Sequence, residues 1–228
     1  MQILTPDLAA MSAPSQSYSQ KNSWLFFSAI TTLSALLIFA SQYLLISDDL
    51  YYDALVNQLT VAQVEDFIDK SHQLTWLPYV LLPAINLVKF SALATCLSLG
   101  YYMLTNRWLF IPFFRIAIQA ELVLLLPNVV KLLWFLLIQP DYNLTDLQYF
   151  YPLSLLNLLD PTDVSTWLLY PLQLINLFEV AYWIVLAYTV SRLVGWSVNR
   201  GLGMVAASYG TGLLLWVVFI MFLSISLS

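Results

Sequence analysis

Charge is scarce in this sequence. Asp, Glu, Lys and Arg make up 9% of its 228 residues and hydrophobic residues 61%, whereas soluble domains are roughly 25% charged and 45–50% apolar. That balance excludes an ordinary water-soluble domain. Cys96 is the only cysteine, so no intrachain disulfide can form. His72 is the only histidine, which rules out zinc sites of the two-histidine kind and leaves any Ser-His pair dependent on one loop residue. No glycine-rich phosphate loop occurs among the 6 glycines, and the 8 Lys and Arg form no nucleic-acid patch. No catalytic, cofactor-binding or metal site is therefore expected. The expectation is a non-enzymatic chain without cofactor or nucleic-acid partner.

What the sequence does have is long apolar runs. A hydrocarbon core about 30 Å thick needs roughly 20 helical residues to cross it, and runs of that length fall at 24–46, 76–104, 117–139, 167–191 and 203–226. Stretches such as Ala35 to Ala40 lack the alternation of a membrane barrel strand. The fold class is thus all-α, a polytopic bundle of five transmembrane helices with short interfacial helices. The first 22 residues are polar and rich in Ser and Gln, without the pattern of a removable signal peptide. Residues 1–23 are expected to be a polar cytoplasmic tail and 24–228 a single five-helix domain.

The loops are sorted by sign. Lys21, Arg107, Arg115, Arg192 and Arg200 fall on one side of five spans, and Lys70 alone on the other. Basic residues mark the cytoplasm, so the N-terminus is expected there and the C-terminus outside. The outer side collects ten acids, from Asp48 to Asp163. Within residues 47–75, Thr60 and Gln63 fit a capping box, and Val61, Val64, Phe67 and Ile68 recur at helical spacing. A short surface helix is expected there, and an interfacial or re-entrant half-helix over 150–159, ended by Asp160 and Pro161. Trp108, Phe110, Phe113, Phe114 and Arg115 suggest an interfacial belt, and Pro83 and Pro127 suggest kinks. The sequon at Asn143 is read as chance.

Three spans repeat one device: Asn86 then Lys89, Asn128 then Lys131, Asn176 then Glu179. Residues three apart share a helix face. An isolated charge at the bilayer centre costs about 2.5–3.5 kcal/mol on insertion scales, so these charges should face inward and meet one another. Spacing favours a Lys89 to Glu179 pair with Lys131 beside it, and Glu121 as a further member on the Asn128 face. Such a cluster can be a structural lock or a proton-coupled or anion site of a permease. The last span carries Gly203, Ala206, Ala207, Gly210 and Gly212 at four-residue spacings, a face that lets another backbone approach. Packing within the chain and self-association both remain open.

The carboxyl half carries "SLLNLLDPTDVSTW", "INLFEVAYWIVLAY" and "VGWSVNRGLGMVAASYG". With these motifs residues 107–226 resemble the Yip family of five-span membrane proteins, named for interaction with Ypt and Rab GTPases, and its bacterial branch especially. The resemblance implies five helices, a cytoplasmic N-terminus and an outward C-terminus, in a bacterial inner membrane rather than a eukaryotic endomembrane. The Asp-Leu-Tyr-Gly type motif of the family's eukaryotic members is missing here, which argues against GTPase binding. The function expected is a membrane scaffold or interaction partner in the lipid bilayer, associating with other membrane proteins or with itself. The alternatives are a permease or channel component and an accessory subunit of a larger complex.

Overall fold

The structure, a computed structural model, describes residues 20–55, 59–161 and 163–227. The tail expected over 1–23 lies outside them apart from its last four residues. Among the described residues ten α-helices follow one another: α1 (Gln20–Leu45), α2 (Asp48–Leu55), α3 (Val61–Gln73), α4 (Leu77–Thr105), α5 (Phe110–Leu137), α6 (Leu144–Tyr149), α7 (Thr166–Leu174), α8 (Leu177–Val194), α9 (Val198–Val205) and α10 (Thr211–Leu227). No strand is present among the described residues. Five of the described segments are long and apolar enough to cross a membrane: Ser23–Leu45, Leu77–Thr105, Phe110–Leu137, Leu177–Val194 and Val198–Ser226. The protein is an all-α membrane bundle.

Helix α5 is the hub, packing on α1, α4 and α8, while α8 also packs on α9. The core is Phe90, Leu93, Ala94 and Leu97 of α4 against Phe113, Ile116, Ala117 and Ala120 of α5 and Tyr182, Leu186 and Val190 of α8. Small residues alternate with large ones here, which lets the helices interlock. The core also explains why α5 starts seven residues before the expected 117. Phe113 is fully buried, with its ring 5.7 Å edge-on from Tyr101, so this part of the aromatic belt is interior packing. Trp108 alone keeps an exposed, belt-like position.

The bundle has two unlike ends. At one, tight turns close on left-handed residues: Asn106 (φ 56°) after α4 and Gly195 (φ 72°) after α8. Glycine takes that conformation without a Cβ penalty. At the other end lie α2, α3 and α6. The Gln63 carboxamide accepts from the Thr60 backbone N–H at 3.0 Å, opening α3 where the sequence placed it. Val64 and Ile68 are its buried face, whereas Val61 and Phe67 stay exposed. Asn143, read above as a chance sequon, is the N-cap of α6: its Oδ1 accepts from the Asp146 N–H at 2.8 Å, and its own N–H donates to Asp146 Oδ2 at 3.0 Å.

The expected prolines do not break their helices; α4 runs through Pro83 and α5 through Pro127. The breaks lie elsewhere. The span expected over 167–191 divides at Ile175–Asn176 into α7 and α8, and the last span carries a π-helical turn, Ala206–Gly210, between α9 and α10. Residues 150–159 form no half-helix beyond a 3-10 turn, Leu155–Leu158. Their extended part pairs with the α7–α8 break instead.

Candidate functional site: the polar centre of the bundle

Residues Leu153 to Leu155 lie antiparallel to Ile175–Leu177, with a β-bridge between Ser154 and Asn176. The Leu155 N–H donates to the Ile175 carbonyl at 3.0 Å, and the Leu177 N–H donates to the Leu153 carbonyl at 3.3 Å. These bonds satisfy the main-chain groups that the helix break releases. Away from water each such group would cost several kcal/mol if left alone. Leu153 adopts φ +57° to make the turn, at a cost of about 1–2 kcal/mol for an L-residue. The pairing outweighs that strain.

Asn176 joins the two half-helices. Its Oδ1 accepts from the Glu179 N–H at 2.8 Å, capping α8, while its Nδ2 donates to the carbonyls of Gln173 and Leu174, both at 3.0 Å, closing α7. Glu179 therefore sits in the first turn of α8, where the helix dipole favours a negative charge. Its Oε1 accepts from Trp183 Nε1 at 2.9 Å and from the Tyr209 hydroxyl at 2.7 Å. Tyr209 belongs to the π turn. Widening the helix there lets its ring lie 5.6 Å from Tyr182 and 5.7 Å from Trp183.

The ion pair differs from the one spacing favoured. Lys89 Nζ meets Glu121 Oε1 at 2.6 Å, and no ion pair joins Lys89 to Glu179 among the described residues. Spacing gave Glu121 only as a further member of the cluster, on the Asn128 face. Its side chain is 6% exposed and that of Lys89 45%. Glu121 Oε2 is buried without a hydrogen-bond partner, as is Ser154 Oγ. Glu179 and Glu121 are close enough to act electrostatically on one another, and Tyr151 of the paired loop feels both. Burial, with the two carboxylates adding to it, holds the Tyr151 hydroxyl above its ordinary range.

The other three residues of the expected cluster lie elsewhere. Asn86 is buried and donates to Thr31 Oγ1 of α1 at 3.4 Å. Lys131 donates to the Leu147 carbonyl, tying α5 to α6. Asn128 is exposed on the outside of the bundle and makes no side-chain hydrogen bond among the described residues. Helical spacing put Asn128 and Lys131 on one face. Pro127, not Asn128, is the residue that turns inward there.

The small-residue face also divides. A Cβ on Gly210 would come within 2.7 Å of the Trp183 ring, and one on Gly212 within 2.9 Å of Cys96 Sγ, so both pack inside the chain. Gly203 has nothing within 4 Å, and Ala206 and Ala207 are exposed. The tightest approach is one the four-residue spacing missed: a Cβ on Gly201 would lie 2.0 Å from Ser191 Oγ and 2.7 Å from the Ala187 carbonyl. Tyr209, Trp183 and Ser154 were missed as site residues. Only the aromatic content of "EVAYW" and "ASYG" hinted at the first two.

Between α1 and α5 a groove of about 270 Å³ is lined by Leu33, Leu37, Leu122, Leu125, Leu126 and Val129. It is apolar and separate from the charged centre. No group of three or more His, Cys, Asp or Glu side chains is placed to hold a metal ion among the described residues. In comparisons with known proteins, no family model, no curated protein and no solved structure matches the chain.

Proposed function

We propose that the chain is a non-enzymatic integral membrane protein of Yip-like type, acting as a membrane scaffold or interaction partner. One observation carries this reading: Asn128 presents an amide on the exposed side of α5 that has no partner among the described residues. Interhelical hydrogen bonds by such side chains contribute about 1–2 kcal/mol in model peptides, so a helix of another protein, or of a second copy, gains by covering it. Gly203 and Ala207, open and four residues apart, add a second place for close approach. Charge sorting supports a cytoplasmic N-terminus and an outward C-terminus, and the motifs quoted above support a bacterial inner membrane.

The test uses Cys96 as the only cysteine to remove. In a Cys96→Ser background, single cysteines at 128, 203 and 207 are cross-linked in native membranes. Adducts of fixed mass at these positions, but not at Tyr43, exposed on α1, are expected. A chain that stays monomeric at every position, with no co-isolated protein in mild detergent, would falsify the scaffold reading.

A permease is the second reading, favoured by the α7–α8 break beside intramembrane carboxylates. Broken helices of this kind build midplane sites in transporters. Here the α8 N-terminus is already occupied by Asn176 and Glu179 of the same chain, which weighs against an anionic solute. A small solute that shifts thermal stability, with counterflow in proteoliposomes, would favour the permease.

A further inference from the structure

We infer that the end of the bundle carrying the two tight turns docks on anionic phospholipid headgroups through Arg107, Arg192 and Arg200. All three arginines are exposed, and none forms an ion pair among the described residues. Ring contacts bring the two turns to one place. Tyr101, near the end of α4, lies 5.7 Å from Phe113 at the start of α5 and 5.4 Å from Trp196 in the α8–α9 turn. Arg200 of α9 holds its guanidinium over the Trp196 ring, 4.2 Å from the centroid. Residues 101–116 and 188–205 contain no Asp or Glu, whereas α2 and α3 at the other end carry three acids each. Arg115, half-buried in α5, is not part of this surface.

The two guanidiniums that the structure fixes keep donors free. Arg192 gives Nε and Nη2 to the Tyr188 hydroxyl, at 3.1 and 3.0 Å, which uses two of the five N–H groups of an arginine and leaves the others. Stacking on Trp196 occupies the face of the Arg200 guanidinium and leaves its edge open. Such a planar fork of donors matches the oxygens of a phosphate two at a time. The anion that fits here also has an apolar body. Tyr102, Met103 and Leu104 are exposed in the last turn of α4, just before Arg107, and Leu202 is exposed two residues after Arg200. A phospholipid places its phosphate at the arginines and its acyl chains along those side chains; inorganic phosphate or an acidic soluble protein satisfies the arginines alone. The surface goes beyond the scaffold reading and is the same for a scaffold or a permease.

Native mass spectrometry of the purified full chain tests it, after extraction in neutral detergent from bilayers of equal parts phosphatidylglycerol and phosphatidylcholine. Retained phosphatidylglycerol is expected to exceed phosphatidylcholine. Arg107→Gln, Arg192→Gln and Arg200→Gln are each expected to lower that preference about fivefold, and Lys70→Gln, at the other end, to leave it unchanged. Arg200→Lys keeps the charge without the fork and should fall between wild type and Arg200→Gln. Arg107→Gln breaks no contact among the described residues and decides the matter should the other variants not fold. Equal retention of the two lipids by the wild type, or an undiminished preference in every arginine variant that folds, overturns the surface. Displacement of phosphatidylglycerol by inorganic phosphate overturns it as well, because the arginines would then hold a free anion.

Discussion

The Asn176 side chain receives the Glu179 N–H at 2.8 Å and, through its other end, holds the last carbonyls of the preceding half-helix. A single amide thus starts one helix and stops another. Asp would keep the acceptor and lose both donors; Ala would lose all three bonds.

Asn176→Ala should therefore destabilise the protein by about 2–3 kcal/mol, combining a lost N-cap with two unsatisfied carbonyls. Asn176→Asp should fall between Ala and wild type. Thermal unfolding in detergent orders the three, and equal midpoints for Asp and wild type would mean that the α7 carbonyls need no donor.

Lys89→Met leaves the buried Glu121 carboxylate without its counter-charge, and with Lys89 only half-buried the loss should be about 1–3 kcal/mol. The double variant Lys89→Met/Glu121→Met should regain most of that loss. A cycle in which the two single effects simply add would show that the 2.6 Å contact carries no coupling.

Gly201→Ala forces a methyl group against Ser191 and the Ala187 backbone, and overpacking of this kind costs about 1–3 kcal/mol. Gly203→Ala meets open space. It should be neutral or slightly stabilising in detergent, through helix propensity. Unfolding midpoints measured side by side check the contrast, which simple counting of glycines in the last span would not anticipate.

Asn128→Leu removes an amide that bonds to nothing among the described residues, so the isolated protein should keep or gain stability. Yield of co-isolated partner or dimer should fall. Loss of stability in the monomer would place the amide in an intramolecular role and remove the main support for the scaffold reading.

The α3 start at Thr60 and Gln63, the helical class and the five apolar segments were legible because each rests on local chemistry: a cap, a period, a run long enough to span lipid. The centre was not. Lys89 chooses Glu121 over Glu179 because α4 and α5 pack face to face, with the Phe90 ring edge-on to that of Phe114, a register that no spacing along one helix encodes. Glu179 in turn is claimed by Trp183 one turn away and by Tyr209 thirty residues on, which depends on a π turn.

Helices α4 and α5 run on through Pro83 and Pro127, while Ile175–Asn176 opens where a loop can pair with it. The chain on its own determined that it must live in lipid, as helices, with its few charges sorted between ends. Hydrophobic length and local capping act within a few residues and need no partner. Which charge meets which, which amide faces outward and where two oxygens are left over were decided only by tertiary packing, because those depend on how helices distant in sequence rotate against one another.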